Sequence, residues 1–205
     1  MLFRSIWSDA IVAHLEGEDR RAPAPIIATS GAFAYLKLLR VHQWLKNMLI
    51  FIPLFMSHQF LFAEPLFNTV LAFVAFSLVA SSIYVLNDMM DLHQDRRHPT
   101  KRSRAFASGA VPVWHGFVLL PLLLCAAGLI TLNLPPLFGL ALGAYVTLNL
   151  GYTFYLKRKL LVDVMALSGA YTLRILAGNA AGPVEVSNWL LAFTMFLFQI
   201  GRAHV

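Results

Sequence analysis

Asn87, Asp88, Asp91 and Asp95 fall within nine consecutive residues, Asn87-Asp88-Met89-Met90-Asp91-Leu92-His93-Gln94-Asp95, that follow directly on a long apolar run. Read as a helix, Asp88, Asp91 and Asp95 stand at i, i+3 and i+7, and Asn87, Asp91 and Asp95 at i, i+4 and i+8, so both series share one face. Three carboxylates on one face repel each other unless something positive lies between them. Hard oxygen donors in this pattern suit Mg²⁺, which usually binds together with a substrate phosphate. Arg96, Arg97, Lys101, Arg102 and Arg104 follow at once. Acids for a metal and bases for phosphate oxygens make a site for a diphosphate. The plainer reading is a solvated helix end, with Asp88 and Asp91 paired to Arg96 or Lys101. The helical register favours the metal and diphosphate reading. So does the place of Asn87 and Asp88 against an apolar span, where an ionised group is costly.

The elements that must hold these residues are membrane helices. Of the 205 residues, 59% are hydrophobic and only 13% charged, against roughly a quarter charged in soluble domains. The expected fold is all-α, a polytopic transmembrane helical bundle with five full spans and the start of a sixth. Apolar runs of spanning length begin near Trp44, Leu66, Val113, Leu137 and Leu160 and end near Phe62, Leu86, Leu132, Leu156 and Ala181. The sixth, Asn188 to Ile200, is too short to cross. Backbone groups in lipid must satisfy one another, which makes these runs helices. Glu64-Pro65, Pro112, Pro135-Pro136 and Gly182-Pro183 punctuate their ends.

Cations lie before the first span (Lys37, Arg40), at its start (Lys46), in the second connection, and in the fourth (Lys157, Arg158, Lys159). The first, third and fifth connections hold no Lys or Arg. The positive-inside rule then predicts a cytoplasmic N-terminus and a cytoplasmic acidic motif, in a bacterial-type inner (plasma) membrane. The formal net charge of +6 is thus a topology signal, with anionic lipid as a further partner, and not the mark of nucleic-acid binding. Cys125, the only cysteine, lies in an apolar run and reads as a packing residue. Residues 1–36 read as a tail and linker ahead of a membrane domain at 37–205. The first residues lack the basic start and apolar core of a signal peptide.

Other polar residues sit where apolar ones would be expected. Trp44 and Lys46 read as interfacial anchors, but Asn47 has no such account, which makes this helix end a candidate second polar contributor. Arg174 lies deep in the fifth span, eleven residues beyond Asp163. That is roughly 16 Å along a helix, too far for an ion pair. Arg174 therefore either holds a lipid phosphate or is a buried structural cation bonded to helix-end carbonyls, and the cost of a lone intramembrane Arg favours function. Tyr145, Asn149 and Tyr152 share a face suited to interhelical hydrogen bonds. Tyr152 and Tyr155 are also placed to line a substrate cavity. Ser168-Gly169-Ala170 and Ala177-Gly178 suit close helix packing. His93 and His98 have no partners at zinc spacing.

The motif Asn87-Asp88-x-x-Asp91-x-x-x-Asp95 resembles the first acidic motif of UbiA-type intramembrane prenyltransferases. Within that superfamily the chain is most similar to the decaprenyl-phosphate phosphoribosyltransferase branch. The likeness rests on Arg40-x-x-Gln-Trp-x-Lys-Asn47, on Asp95-Arg-x-His-Pro-Thr-Lys-Arg-x-Arg104 with Ala107-Ser-Gly109, and on Tyr171-x-x-Arg174-x-x-Ala-Gly178. The resemblance implies a cytoplasm-facing cavity and Mg²⁺ held by Asp88, Asp91 and Asp95, the expected catalytic carboxylates. It implies Asn87 as a metal or phosphate contact, and Lys46, Arg102 and Arg104 on phosphates. Asn47, Tyr152 and Arg174 complete the expected substrate contacts.

The implied partners are a lipid-linked isoprenoid substrate and a diphosphate donor. The favoured reaction is phosphoribosyl transfer from phosphoribosyl pyrophosphate to polyprenyl phosphate. The alternatives are aromatic prenylation of a 4-hydroxybenzoate-like acceptor and, in another class, a transporter or structural subunit. Acids clustered at one interface favour the enzyme over the transporter. The family's second acidic motif and later helices have no counterpart here, and Gly201-Arg-Ala-His-Val205 departs from its pattern. The expectation is therefore the N-terminal part of a transferase domain, inactive by itself or not, with Met1–Ile26 as the end of an upstream domain.

Overall fold

A computed structural model describes residues 31–156 and 160–182, which are helical throughout their regular structure. In chain order, helix α1 spans Gly31–Leu38, across the expected junction between tail and membrane domain. A 3₁₀ segment, Val41–Phe51, leads into the short α2, Ile52–Met56, and a 3₁₀ turn, Gln59–Leu61. Helix α3 is Ala63–Met90, α4 is Leu92–Arg97, and a 3₁₀ turn follows at Lys101–Ser103. Helices α5, Trp114–Thr131, and α6, Pro136–Gly151, come next, the latter running on into a π-helical turn, Tyr152–Leu156. Helix α7 is Leu160–Ala181.

Among the described residues three stretches, Ala63–Met90, Trp114–Thr131 and Pro136–Phe154, are long and apolar enough to cross a membrane. They match the second, third and fourth expected spans, and α7 matches the fifth. The sixth run lies outside the described residues. Helix α3 is the central element: 61% of its spanning window is buried, against 17% in each of the other two. Its buried stripe is built from small residues, Ala72, Ala75, Ser77, Ala80, Ser81 and Ser82, around Phe76, which lets neighbouring backbones come close. Phe138, Leu142 and Tyr145 of α6 and Ala170, Ala177, Ala180 and Ala181 of α7 close the core around it.

The first expected span is not one helix. Trp44 to Phe62 is broken into 3₁₀, α and 3₁₀ pieces, entered through Arg40 at φ 50° and interrupted at His58 at φ 56°. Two physical causes are visible. Pro53 has no N–H to give to the preceding turn. The 3₁₀ form also satisfies two polar side chains at once: Trp44 Nε1 donates to Ser81 Oγ at 3.0 Å and Asn47 Nδ2 donates to Ser77 Oγ at 2.9 Å. Three residues of 3₁₀ helix rise about 6 Å, as do four residues of α-helix. The pitch of Val41–Phe51 therefore matches the serine spacing on the antiparallel α3. Trp44 is thereby a half-buried hydrogen-bond donor as well as an anchor.

Helix α7 closes on this segment at Gly178, where a Cβ would lie 2.0 Å from the Ile50 carbonyl oxygen. Backbone cannot yield as a side-chain tip can. Gly178→Ala is expected to lower stability by on the order of 3 kcal/mol, read as an earlier midpoint in denaturant unfolding from mixed micelles. A wild-type midpoint would show that the contact is slack. Gly169 meets only Leu148 Cδ2 at 3.4 Å, an ordinary contact.

Candidate active site

The acidic motif spans the end of α3, the joint at Asp91, and α4. The joint barely interrupts the helix, since Asp91 N–H donates to the Asn87 carbonyl and Asp95 N–H to the Asp91 carbonyl, both at 2.9 Å. Asn87 and Asp88 are adjacent and so face directions about 100° apart on the helix. They open onto two different spaces.

Asn87 lines an inner cavity of about 160 Å³ between α3, α6 and α7. Ala80, Ile83, Leu148, Ala166, Leu167 and Ala170 make its walls largely aliphatic, while Tyr84, Tyr145, Asn149, Tyr152 and Thr153 supply polar atoms. Thr153 Oγ1 donates to Asn87 Oδ1 at 3.1 Å, joining the end of α6 to the motif. Tyr152 stands in this lining as the sequence predicts. Asn149 spends its amide on its own helix, donating to the Tyr145 carbonyl at 2.8 Å. Tyr155 and Asp163 have side chains outside the described ones.

Asp88 faces an outer pocket, also about 160 Å³, lined by Lys37, Arg40, His42, Asp88, Arg104 and Ala105. Arg40 Nη2 donates to Asp88 Oδ1 at 2.6 Å. Arg104 Nη1 reaches both acids, Asp95 Oδ2 at 2.7 Å and Asp88 Oδ1 at 3.3 Å. Both carboxylates are buried, at 4% and 2% exposure. Such burial would be prohibitive for lone anions, and two acids facing two guanidinium groups make a neutral quartet. The Arg40 guanidinium also lies over the Tyr84 ring, 4.8 Å from its centroid. Arg104 is held from behind by its own connection: Ala105, Phe106 and Val111 pack with Ala34, Leu38 and Val85.

Several expectations change here. The plain alternative paired the acids with Arg96 or Lys101; for Asp88 and Asp95 the partners are Arg40 and Arg104. The set Asp88, Asp91, Asp95 does not converge as a metal cage, and among the described residues no three acidic, His or Cys groups do. Two of its members hold guanidinium groups instead. Asn87 and Asp91 stand one turn apart in the motif, and neither belongs to the quartet. Lys46 and Arg102 are exposed and line neither space. His93 and His98 are exposed.

Arg174 is buried, and each of its three nitrogens has a protein acceptor. Nε donates to Asn47 Oδ1 at 2.8 Å, Nη1 to the Ala170 carbonyl at 2.7 Å and Nη2 to the Tyr145 hydroxyl at 3.1 Å. The rings of Phe76, Tyr145 and Tyr171 lie 5.0–5.6 Å from its guanidinium carbon. A structural cation is the second of the two readings of Arg174, but its acceptors are an Asn side chain, a tyrosine hydroxyl and one carbonyl within its own helix rather than helix-end carbonyls. It also accounts for Asn47, which accepts from Arg174 and donates to Ser77.

Sequence reasoning passed over Arg40, Tyr84 and Thr153. Arg40 lay within a quoted motif, but its partner is 48 residues away, a distance no local pattern spans.

Residues 48–205 match the model of the UbiA prenyltransferase family. The chain belongs to that family. A decaprenyl-phosphate phosphoribosyltransferase of Mycobacterium tuberculosis is 35% identical over 188 residues, 87% of this chain and 59% of that protein. Nodulation protein NoeC of Azorhizobium caulinodans is 39% identical over 170 residues, 80% of this chain and 53% of that protein. A solved UbiA homologue from Archaeoglobus fulgidus, bound to DMAPP and Mg²⁺, superposes with a TM-score of 0.66 at 22% identity, over 80% of this chain and 60% of that one. The UbiA fold is therefore shared. The chain spans between about a third and three fifths of the length of the curated relatives it matches.

Proposed function

We propose that this UbiA-family chain acts in transfer from a diphosphate donor to a lipid-linked acceptor, with phosphoribosyl pyrophosphate as donor and polyprenyl phosphate as acceptor. The observation that carries this reading is the place of the acidic motif, at the meeting of a basic pocket and an aliphatic cavity. A water-soluble phosphorylated donor suits the first and an isoprenoid chain the second. The relative from Mycobacterium tuberculosis bears the name of this reaction.

The aliphatic walls around Ile83, Leu148 and Leu167 bind an isoprenoid by burial and keep water from the reacting end. Tyr152, Thr153 and Asn87 give that end polar contacts. A divalent ion such as Mg²⁺, which the solved homologue binds, would be held by Asn87 and Asp91 and would offset charge growing on the departing diphosphate. Lys46 and Arg102 stand on flanking segments and would meet phosphate only through side-chain movement. The clustering of cations on residues 37–46 and 96–104 supports a cytoplasmic orientation for the site, in a bacterial-type inner membrane.

The test is a transfer assay in membranes bearing the protein, with Mg²⁺, polyprenyl phosphate and labelled phosphoribosyl pyrophosphate. Label entering lipid with Mg²⁺, and not with EDTA, is the expected result. A parallel reaction supplies 4-hydroxybenzoate and an isoprenoid diphosphate. Product there alone would move the function to aromatic prenylation, and silence in both with folded protein would favour a non-enzymatic role.

A further inference from the structure

Buried Arg174 and the half-buried Arg40 and Arg104 differ in what they leave unused. Arg174 commits all three nitrogens to protein oxygens. Arg40 commits one, Nη2, and Arg104 commits one, Nη1, both to the carboxylates of Asp88 and Asp95. Among the described residues the other four guanidinium nitrogens have no acceptor, and neither has the exposed ammonium of Lys37. All three side chains line the same outer pocket of about 160 Å³. That is well above the roughly 10–15 Å³ of such space that one water needs, and leaves room for a phosphate group.

We infer that this outer pocket is a phosphate-binding site formed by Lys37, Arg40 and Arg104, and that Asp88 is a positioning residue within it rather than a metal ligand. The chemistry follows from the geometry. A guanidinium pinned through one nitrogen presents its remaining N–H groups in a fixed fork, the arrangement that matches phosphate oxygens. Asp88 pins both forks from one buried oxygen, and Asp95 pins the second again. The quartet is neutral, so it offers a dication no excess negative charge, while Lys37 leaves the pocket with a net positive charge. The Tyr84 ring, 4.8 Å from the guanidinium carbon, gives Arg40 a further hold. The site stands beside Asn87 but is a different space from the inner cavity, with no lining residue in common. The phosphate is either the soluble donor's or that of an anionic lipid headgroup. In the first case the inference deepens the donor reading above and rests on it.

Binding is to be measured on the purified protein in neutral detergent, in EDTA, by thermal shift and calorimetry with pyrophosphate, inorganic phosphate, phosphatidylglycerol and phosphatidylcholine. Saturable stabilisation by pyrophosphate or phosphate identifies a soluble ligand, and stabilisation by phosphatidylglycerol but not phosphatidylcholine identifies a headgroup. Either supports the pocket; no response to any overturns it. Lys37→Glu, an exposed change, should weaken binding about tenfold or more, and exposed Arg96→Gln should leave it within about twofold. Equal losses in both would reduce the effect to net charge and overturn the site. Asp88→Asn should weaken phosphate binding about tenfold, with Asp88→Glu restoring most of it. Wild-type affinity in Asp88→Asn would overturn the positioning role. Because EDTA removes the metal and no transfer is read, these outcomes are independent of the transfer assay.

Discussion

Asp91→Asn is expected to lower Mg²⁺-dependent transfer by on the order of a hundredfold or more, with the fold intact. Asp91 is the motif carboxylate at the joint between α3 and α4, outside the quartet that neutralises Asp88 and Asp95. An amide keeps the shape and the carbonyl oxygen but loses the charge that attracts a dication. The loss should therefore be partly recoverable at raised Mg²⁺, as a shift in the concentration needed for half-maximal rate. Initial rates across a Mg²⁺ series, for wild type and variant in the same membranes, decide the matter. Wild-type turnover at low Mg²⁺ in the variant would remove Asp91 from the metal site. The joint itself is also held by backbone hydrogen bonds, and denaturant unfolding of Asp91→Asn beside the wild type separates a loss of metal from a loss of stability.

Arg174→Ala is expected to act the opposite way, through stability. It removes a buried side chain that joins four elements: the 3₁₀ segment through Asn47, α6 through Tyr145, its own helix through Ala170, and α3 through the Phe76 ring. The loss combines a cavity with an Asn47 Oδ1 stripped of its donor, roughly 3–5 kcal/mol in sum. Equilibrium unfolding from mixed micelles should show it. Arg174→Lys should recover only part, since one ammonium on a flexible stem cannot replace three fixed nitrogens. Asn47→Leu in the Arg174→Ala background should cost less than in the wild type, because the orphaned carbonyl is then gone. Full stability in Arg174→Ala, with loss of transfer alone, would instead return Arg174 to the substrate.

Much of the architecture was legible in the residues alone. The second, third, fourth and fifth apolar runs predict helices that the structure contains, because in lipid the backbone has few other ways to satisfy itself. Helix α3 runs on to Met90 past the expected end at Leu86, since the helical hydrogen bonds continue through the acidic motif. The motif's register was readable for the same reason: it is a local, periodic property. Close packing at Gly178 and a place for Tyr152 in a cavity wall were likewise open to inference from residue type and spacing.

What the amino-acid sequence determined by itself, then, was the helical membrane class, the position of the acidic motif at a helix end, and the family. Tertiary structure alone decided how the charges were shared. Asp88 meets Arg40 across 48 residues and Arg104 across 16, and Arg174 meets Asn47 across 127. No periodicity encodes such pairs, because they arise when separate helices are packed and each buried ion takes the nearest complementary group to offset its lost hydration. The same holds for the broken first span. Its apolar composition is that of a helix, but its pitch is set by two serines on α3 that only the folded bundle brings alongside.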